Sequence, residues 1–102
     1  MIEPTRSRMG NGTLVTWDGL STRDPEGAWH GLCDMPTMTV TVDGGNIKLM
    51  GSNRPTHDGW PLVDSLGRPI KGPGIYHVTL NPARLRPIVL TGEHVTVSIL
   101  AT

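Results

Sequence analysis

Residues 46–70 read NIKLMGSNRPTHDGWPLVDSLGRPI. An apolar run, Ile47 to Met50, enters a corner at Gly51-Ser52-Asn53. A polar loop follows, and Asp58-Gly59 turns the chain into Trp60. A short apolar piece (Leu62, Val63) then leads through a turn at Ser65-Leu66-Gly67 to a strand start at Ile70. The reading is two turns joining three short strands, with one large aromatic at the centre.

The flanks repeat that grammar. Gly12 to Trp17 alternates, with Leu14 and Thr16 on one face and Val15 and Trp17 on the other. Asp18-Gly19 predicts a turn. Met38, Val40 and Val42 alternate with Thr37, Thr39 and Thr41, the clearest strand in the chain. Asp43-Gly44-Gly45 follows at once, with Ile47 and Leu49 beyond it, which predicts a β-hairpin across residues 38–49. Ile75 to Asn81 predicts a strand with Tyr76, Val78 and Leu80 on one face; Asn81-Pro82 ends it. Leu85, Ile88, Val89 and Leu90 predict another, whose Pro87 implies an edge position or an irregular ladder. Val95, Val97 and Ile99 close the chain as the final strand.

Between these lie residues 21–36, STRDPEGAWHGLCDMP. Pro25 and Gly27 would sit inside any helix here, so an irregular excursion anchored by Trp29 and Leu32 is expected. Residues 1–11 are polar apart from Ile2 and Met9, and predict an extended N-terminal arm. They have no apolar core of the kind a signal peptide needs.

Composition agrees with an all-β class. Thirteen Gly and nine Pro among 102 residues are too many for helices, where they cost about 1 and about 3 kcal/mol each. Seven or eight short strands, with turns every eight to twelve residues, predict one antiparallel β-sandwich over residues 12–102. Core anchors are assigned to Trp17, Trp60, Val40, Val42 and Val97. Only 36% of residues are apolar and there is no Phe, so the core is thin and association with itself or a larger body is expected.

Nine basic and nine acidic residues balance, which argues against a free nucleic-acid binder. No apolar run reaches the ~20 residues of a membrane span. The single cysteine, Cys33, permits no internal disulfide.

Candidate chemistry is sparse. His57-Asp58 could bind a metal or shuttle protons, but it lies between Pro55 and Gly59, where a turn accounts for it. His30 and Cys33 have the spacing of half a zinc site, with no second close pair. There is no Gly-x-Ser-x-Gly elbow and no Gly-rich phosphate loop. A small hydrolase or metal protein would need His30, Cys33, His57 and Asp58 to converge. Trp17, Trp29 and Trp60 could form a sugar-stacking platform; otherwise Trp17 and Trp60 are a core pair and Trp29 a contact residue. No catalytic residue, metal or cofactor is assigned.

The order of motifs resembles small capsid decoration (cement) and virion structural proteins of tailed bacteriophages. The likeness runs over about residues 12–100. It rests on Thr16-Trp17-Asp18-Gly19-Leu20, the Thr/Val strand, Gly51-Ser52-Asn53, Asp58-Gly59-Trp60 and Asn81-Pro82. It continues through Arg86-Pro87-Ile88-Val89, Thr91-Gly92 and Val95-Thr96-Val97. One departure is the loop Arg54-Pro55-Thr56-His57, inserted before Asp58-Gly59. The resemblance implies a jelly-roll-like sandwich on the outer capsid surface. It implies a homo-dimer or homo-trimer that bridges major capsid protein subunits and stabilises the shell by contact alone. Contact residues on this reading are Ile2, Arg6, Arg8, Trp29, Arg54 and His57. The alternative is a carbohydrate-binding or adhesin-like module.

Overall fold

The computed structural model describes residues 1–31, 37–54, 58–80 and 82–102. Among them are eight strands and no helix: β1 (Thr5–Met9), β2 (Gly12–Leu20), β3 (Met38–Asp43), β4 (Asn46–Ser52), β5 (Trp60–Pro61), β6 (Gly74–Val78), β7 (Arg84–Thr91) and β8 (Val95–Ala101). They form two antiparallel sheets, one ordered β1-β2-β8-β3-β6 and the other β5-β4-β7. Isolated bridges from Glu26 to Ile88 and from His30 to Leu85 add residues 26–30 along the outer side of β7.

The alternation read from the sequence sets what each sheet buries. Val15, Trp17, Val40, Val42, Val97 and Ile99 face inward from the larger sheet. Ile47, Leu49, Leu85 and Val89 meet them from the smaller one. Trp17 is wholly buried, and its indole N–H donates to the Ala28 carbonyl at 3.0 Å. Gly27 makes this possible, because a Cβ there would run into the Trp17 ring and Pro87. The excursion of residues 21–36 is therefore not merely laid over the surface: its middle crosses the core tryptophan. Pro87, lacking an N–H, accepts at its carbonyl from Gly27 at 3.0 Å, which suits this flank of the sheet.

Four expectations need correction. The first is the hairpin at Asp43-Gly44-Gly45: β3 and β4 do not pair, and the turn carries the chain from one sheet to the other. Alternation fixes which side chains go inward but not which strand lies alongside, and Val42 and Ile47 reach the core equally well from opposite layers. Gly44 (φ 91°) lies against the His94 carbonyl and Gly45 against that of Thr91, so the β3–β4 arch nests on the β7–β8 arch.

The second concerns residues 1–11, which are an edge strand rather than an arm. Thr5–Met9 pairs with β2 from Met9↔Gly12 to Thr5↔Thr16, and Ile2 bridges Gly27. Gly10-Asn11, with Gly10 at φ 60°, is a two-residue hairpin turn. The third is Asp18-Gly19, which does not end the strand. It is a bulge opposite Thr96, after which Leu20 resumes pairing with Val95. The fourth is Trp60, placed in the core by its size but 74% exposed. β5 is a two-residue edge strand, pairing Trp60 and Pro61 with Gly51 and Met50 near the end of β4, and it leaves the Trp60 side chain exposed.

The turn at residues 64–68 yields a pH prediction. The buried Asp64 carboxylate accepts the backbone N–H groups of Arg68 and Leu66, each at 2.9 Å, and Arg68 Nε at 2.9 Å. These bonds, that from the Arg68 backbone first, hold its pKa below the ordinary aspartate value. A depressed carboxylate contributes stability above its unfolded pKa of about 3.9, and loses it as pH falls through the lower folded value. Melting temperature measured from pH 6 down to pH 2 should fall less steeply at the acid end in Asp64→Asn than in the parent. Parallel acid limbs would show that Asp64 carries none of this dependence.

Candidate contact surface

β7 alternates Arg84, Leu85, Arg86. Leu85 is fully buried, so both arginines lie on the outer face of the smaller sheet. Residues 26–30, bonded along β7, bring Trp29 to the same face. The Arg84 guanidinium carbon lies 4.2 Å from the Trp29 ring centroid and that of Arg86 4.6 Å. Stacking of this kind is worth about 0.5–2 kcal/mol per pair, rising with desolvation. The Arg86 side chain is 10% exposed and bonds to Glu26 at 3.2 Å, with Asp58 at 3.9 Å.

The loop after β4 joins this face to a cleft. Arg84 Nη2 donates to the Arg54 carbonyl at 2.8 Å, and Ser52 Oγ donates to the same oxygen at 3.0 Å. Asn53 Oδ1 accepts from the Ala83 N–H at 2.7 Å, pinning the loop to the entry of β7. Gly59 (φ 86°) lies against the Gly51 carbonyl, where no Cβ would fit. That close approach seats the chain against β4 just before the exposed Trp60. Trp60, Leu62, Leu80, Pro82 and the Gly51–Arg54 corner then line an open cleft of about 550 Å³. Leu80, expected within the strand on the same face as Tyr76 and Val78, lies beyond the end of β6 and is 48% exposed at the rim. The loop thus links a stacked tryptophan on the sheet to an exposed one at the end.

The predicted contact residues divide. Trp29 and the Arg54 backbone come together through Arg84. Arg6 lies on the β1 flank, where its Nη1 is 3.2 Å from His30 Nε2. Ile2 packs against the core at that flank, and Arg8 is exposed on β1. His57, Cys33, Leu32 and Asn81 fall outside the described residues.

His30 is edge-on to Trp17, with centroids 6.5 Å apart. Burial first, and then the Arg6 charge, lower its pKa, so its ring is neutral at pH 7 and accepts from Arg6. Asp58 is drawn to Arg86 rather than to His30. Among the described residues no three His, Cys, Asp or Glu side chains are grouped as metal ligands. The three tryptophans occupy separate environments rather than one platform: core, arginine stack and cleft rim.

Sequence reasoning missed Arg84 and Arg86. The signal was present, since two arginines flanking an inward leucine on a strand must share the outer face.

No family model and no curated protein matches the chain. Among solved structures the chain is similar to the crystal structure of protein NMB1881 from Neisseria meningitidis, with a TM-score of 0.53 at 11% identity, over 96% of this chain and 80% of that one. A likeness at that identity is one of fold.

Proposed function

We propose that this chain is a non-catalytic binding module, a capsid decoration protein that attaches to the outer head of a tailed phage. It would act as a homo-dimer or homo-trimer bridging major capsid protein subunits. The observation that carries the binding reading is the exposed Trp60 at the cleft rim, together with the arginine-stacked Trp29 at the other margin of the same sheet. Tryptophan and arginine are the residues most enriched at energetic centres of protein interfaces. In a chain with only four aromatics, leaving one indole at 74% exposure forgoes core burial and favours a partner-covered site. The assignment to phage heads rests on the motif order described above. The strand order β2-β8-β3-β6 facing 26–30·β7·β4·β5 supports a jelly-roll description.

The test is cosedimentation with expanded phage heads stripped of decoration. Trp60→Ala should weaken binding about 30-fold, the equivalent of a ~2 kcal/mol hot spot. Its unfolding free energy should move by no more than about 0.5 kcal/mol, because the side chain is outside the core. Absence of binding by the parent chain, or equal binding by the variant, would sink this reading. The cleft beside Trp60 also favours a second reading, a carbohydrate-binding or adhesin-like module. Quenching of Trp60 fluorescence by one glycan of a panel, with no head binding, would select it.

A further inference from the structure

Every sheet margin but one is either occupied or cut short among the described residues. Ser65 N–H bonds to the His77 carbonyl on the open side of β6. β5 is two residues long and ends in proline. Residues 26–28 exchange backbone bonds with Ile2 beyond β7. The exception is β1. All five of its residues are exposed, and it pairs with β2 alone.

Its phase follows from the hairpin. Met9 and Gly12 flank a two-residue turn, so they are a hydrogen-bonded pair, as are Ser7 with Leu14 and Thr5 with Thr16. The backbone N–H and C=O groups of Arg6 and Arg8 therefore point to the free margin. Both side chains lie on the inward face, in register with Val15 and Thr13. Neither has a carboxylate within ion-pair distance among the described residues.

Two copies joined antiparallel along β1 must match even-numbered residues to even-numbered ones to keep pleat and bonding in phase. The registers that do so set Arg6 opposite Arg8, Arg6 opposite Arg6, or Arg8 opposite Arg8. The next register places Pro4, which has no N–H, opposite Arg6. Like charges directly opposite are destabilising, so self-pairing is disfavoured in each.

We propose that β1 receives an extended segment of another protein, with acidic side chains at two alternate positions opposite Arg6 and Arg8. Backbone bonds to Arg6 and Arg8 supply affinity, and the two carboxylates set register and partner. This surface is on the opposite flank from β5 and does not depend on the proposed function.

The probe is a short capped peptide alternating glutamate with valine and threonine, paired with its lysine counterpart. Titration should show the glutamate peptide binding roughly tenfold or more tightly, given two attractive pairs in place of two repulsive ones. Amide exchange should slow at Arg6 and Arg8 and not at Ser7. Arg6→Glu supplies a second arm. In the register that sets position 6 against position 8, two copies of this variant gain two cross-strand ion pairs. It should form a salt-sensitive dimer by sedimentation, with protected amides at positions 6 and 8, where the parent shows none there. Equal binding of the two peptides, a peptide-induced gain of protection at Ser7 in place of Arg6 and Arg8, or β1 pairing between copies of the parent chain would each overturn the proposal.

Discussion

Trp17→Ala is expected to leave the domain largely unfolded at physiological temperature. The side chain is fully buried between the sheets, and truncating such a residue costs about 3–5 kcal/mol. The Ala28 carbonyl also loses its indole donor inside the core, a further cost of about 1–3 kcal/mol. Domains commonly have about 5–15 kcal/mol in total, and a thin core with no phenylalanine belongs toward the lower end. Urea unfolding followed by circular dichroism measures the loss. Trp17→Phe helps divide the two contributions, since it keeps one aromatic ring in the core while removing the N–H and the rest of the indole's area. A Trp17→Ala melting point within about 5 °C of the parent, little more than a 1 kcal/mol effect for this size, would contradict the placement of the indole.

Gly44→Val is expected to cost about 2–6 kcal/mol. A β-branched residue at φ 91° carries backbone strain of about 1–3 kcal/mol. Its Cβ would also be driven into the His94 carbonyl, part of the neighbouring arch, at an overpacking cost of about 1–3 kcal/mol. Gly67→Val is the control. Gly67 has a similar φ of 79°, but nothing lies within 4 Å of the added Cβ. The difference between the two midpoints isolates the packing of arch on arch. Equal losses would mean that the two turns do not support one another.

These two residues mark what the sequence disclosed and what it hid. Trp17 was legible as core because its strand alternates cleanly, and the same logic placed Val40, Val42 and Val97 inside. Gly44 was legible as a turn but not as a crossing between sheets. A hairpin and an arch need the same residues, and they differ only in the partner strand, which lies far away in the chain. Gly10-Asn11 carried a hairpin signal, obscured by the polar residues before it: an edge strand with no covered face has no alternation to display. Trp60 misled because size alone does not fix burial: β5 is a two-residue strand at the sheet margin, and its indole stays exposed while Leu62, two positions on, reaches the core. The Trp29 stack joins β7 to a segment more than fifty positions earlier, so its geometry was beyond local reading.

The order of the larger sheet has a consequence for synthesis. Its central strand is β8, the last strand of the fold, and it is held by β2 on one side and β3 on the other. Thr16 and Ser98, whose hydroxyls are 3.2 Å apart, are separated by 82 positions. Until Val95–Ala101 has left the ribosome, β1 with β2 and β3 with β6 are two unconnected ribbons, each too small to hold by itself. The larger sheet therefore stays open until β8 emerges. Such long-range closure belongs to the millisecond-to-second class of folding. Through that interval Val40 and Val42 lack Ile99 and Val97, their partners on β8.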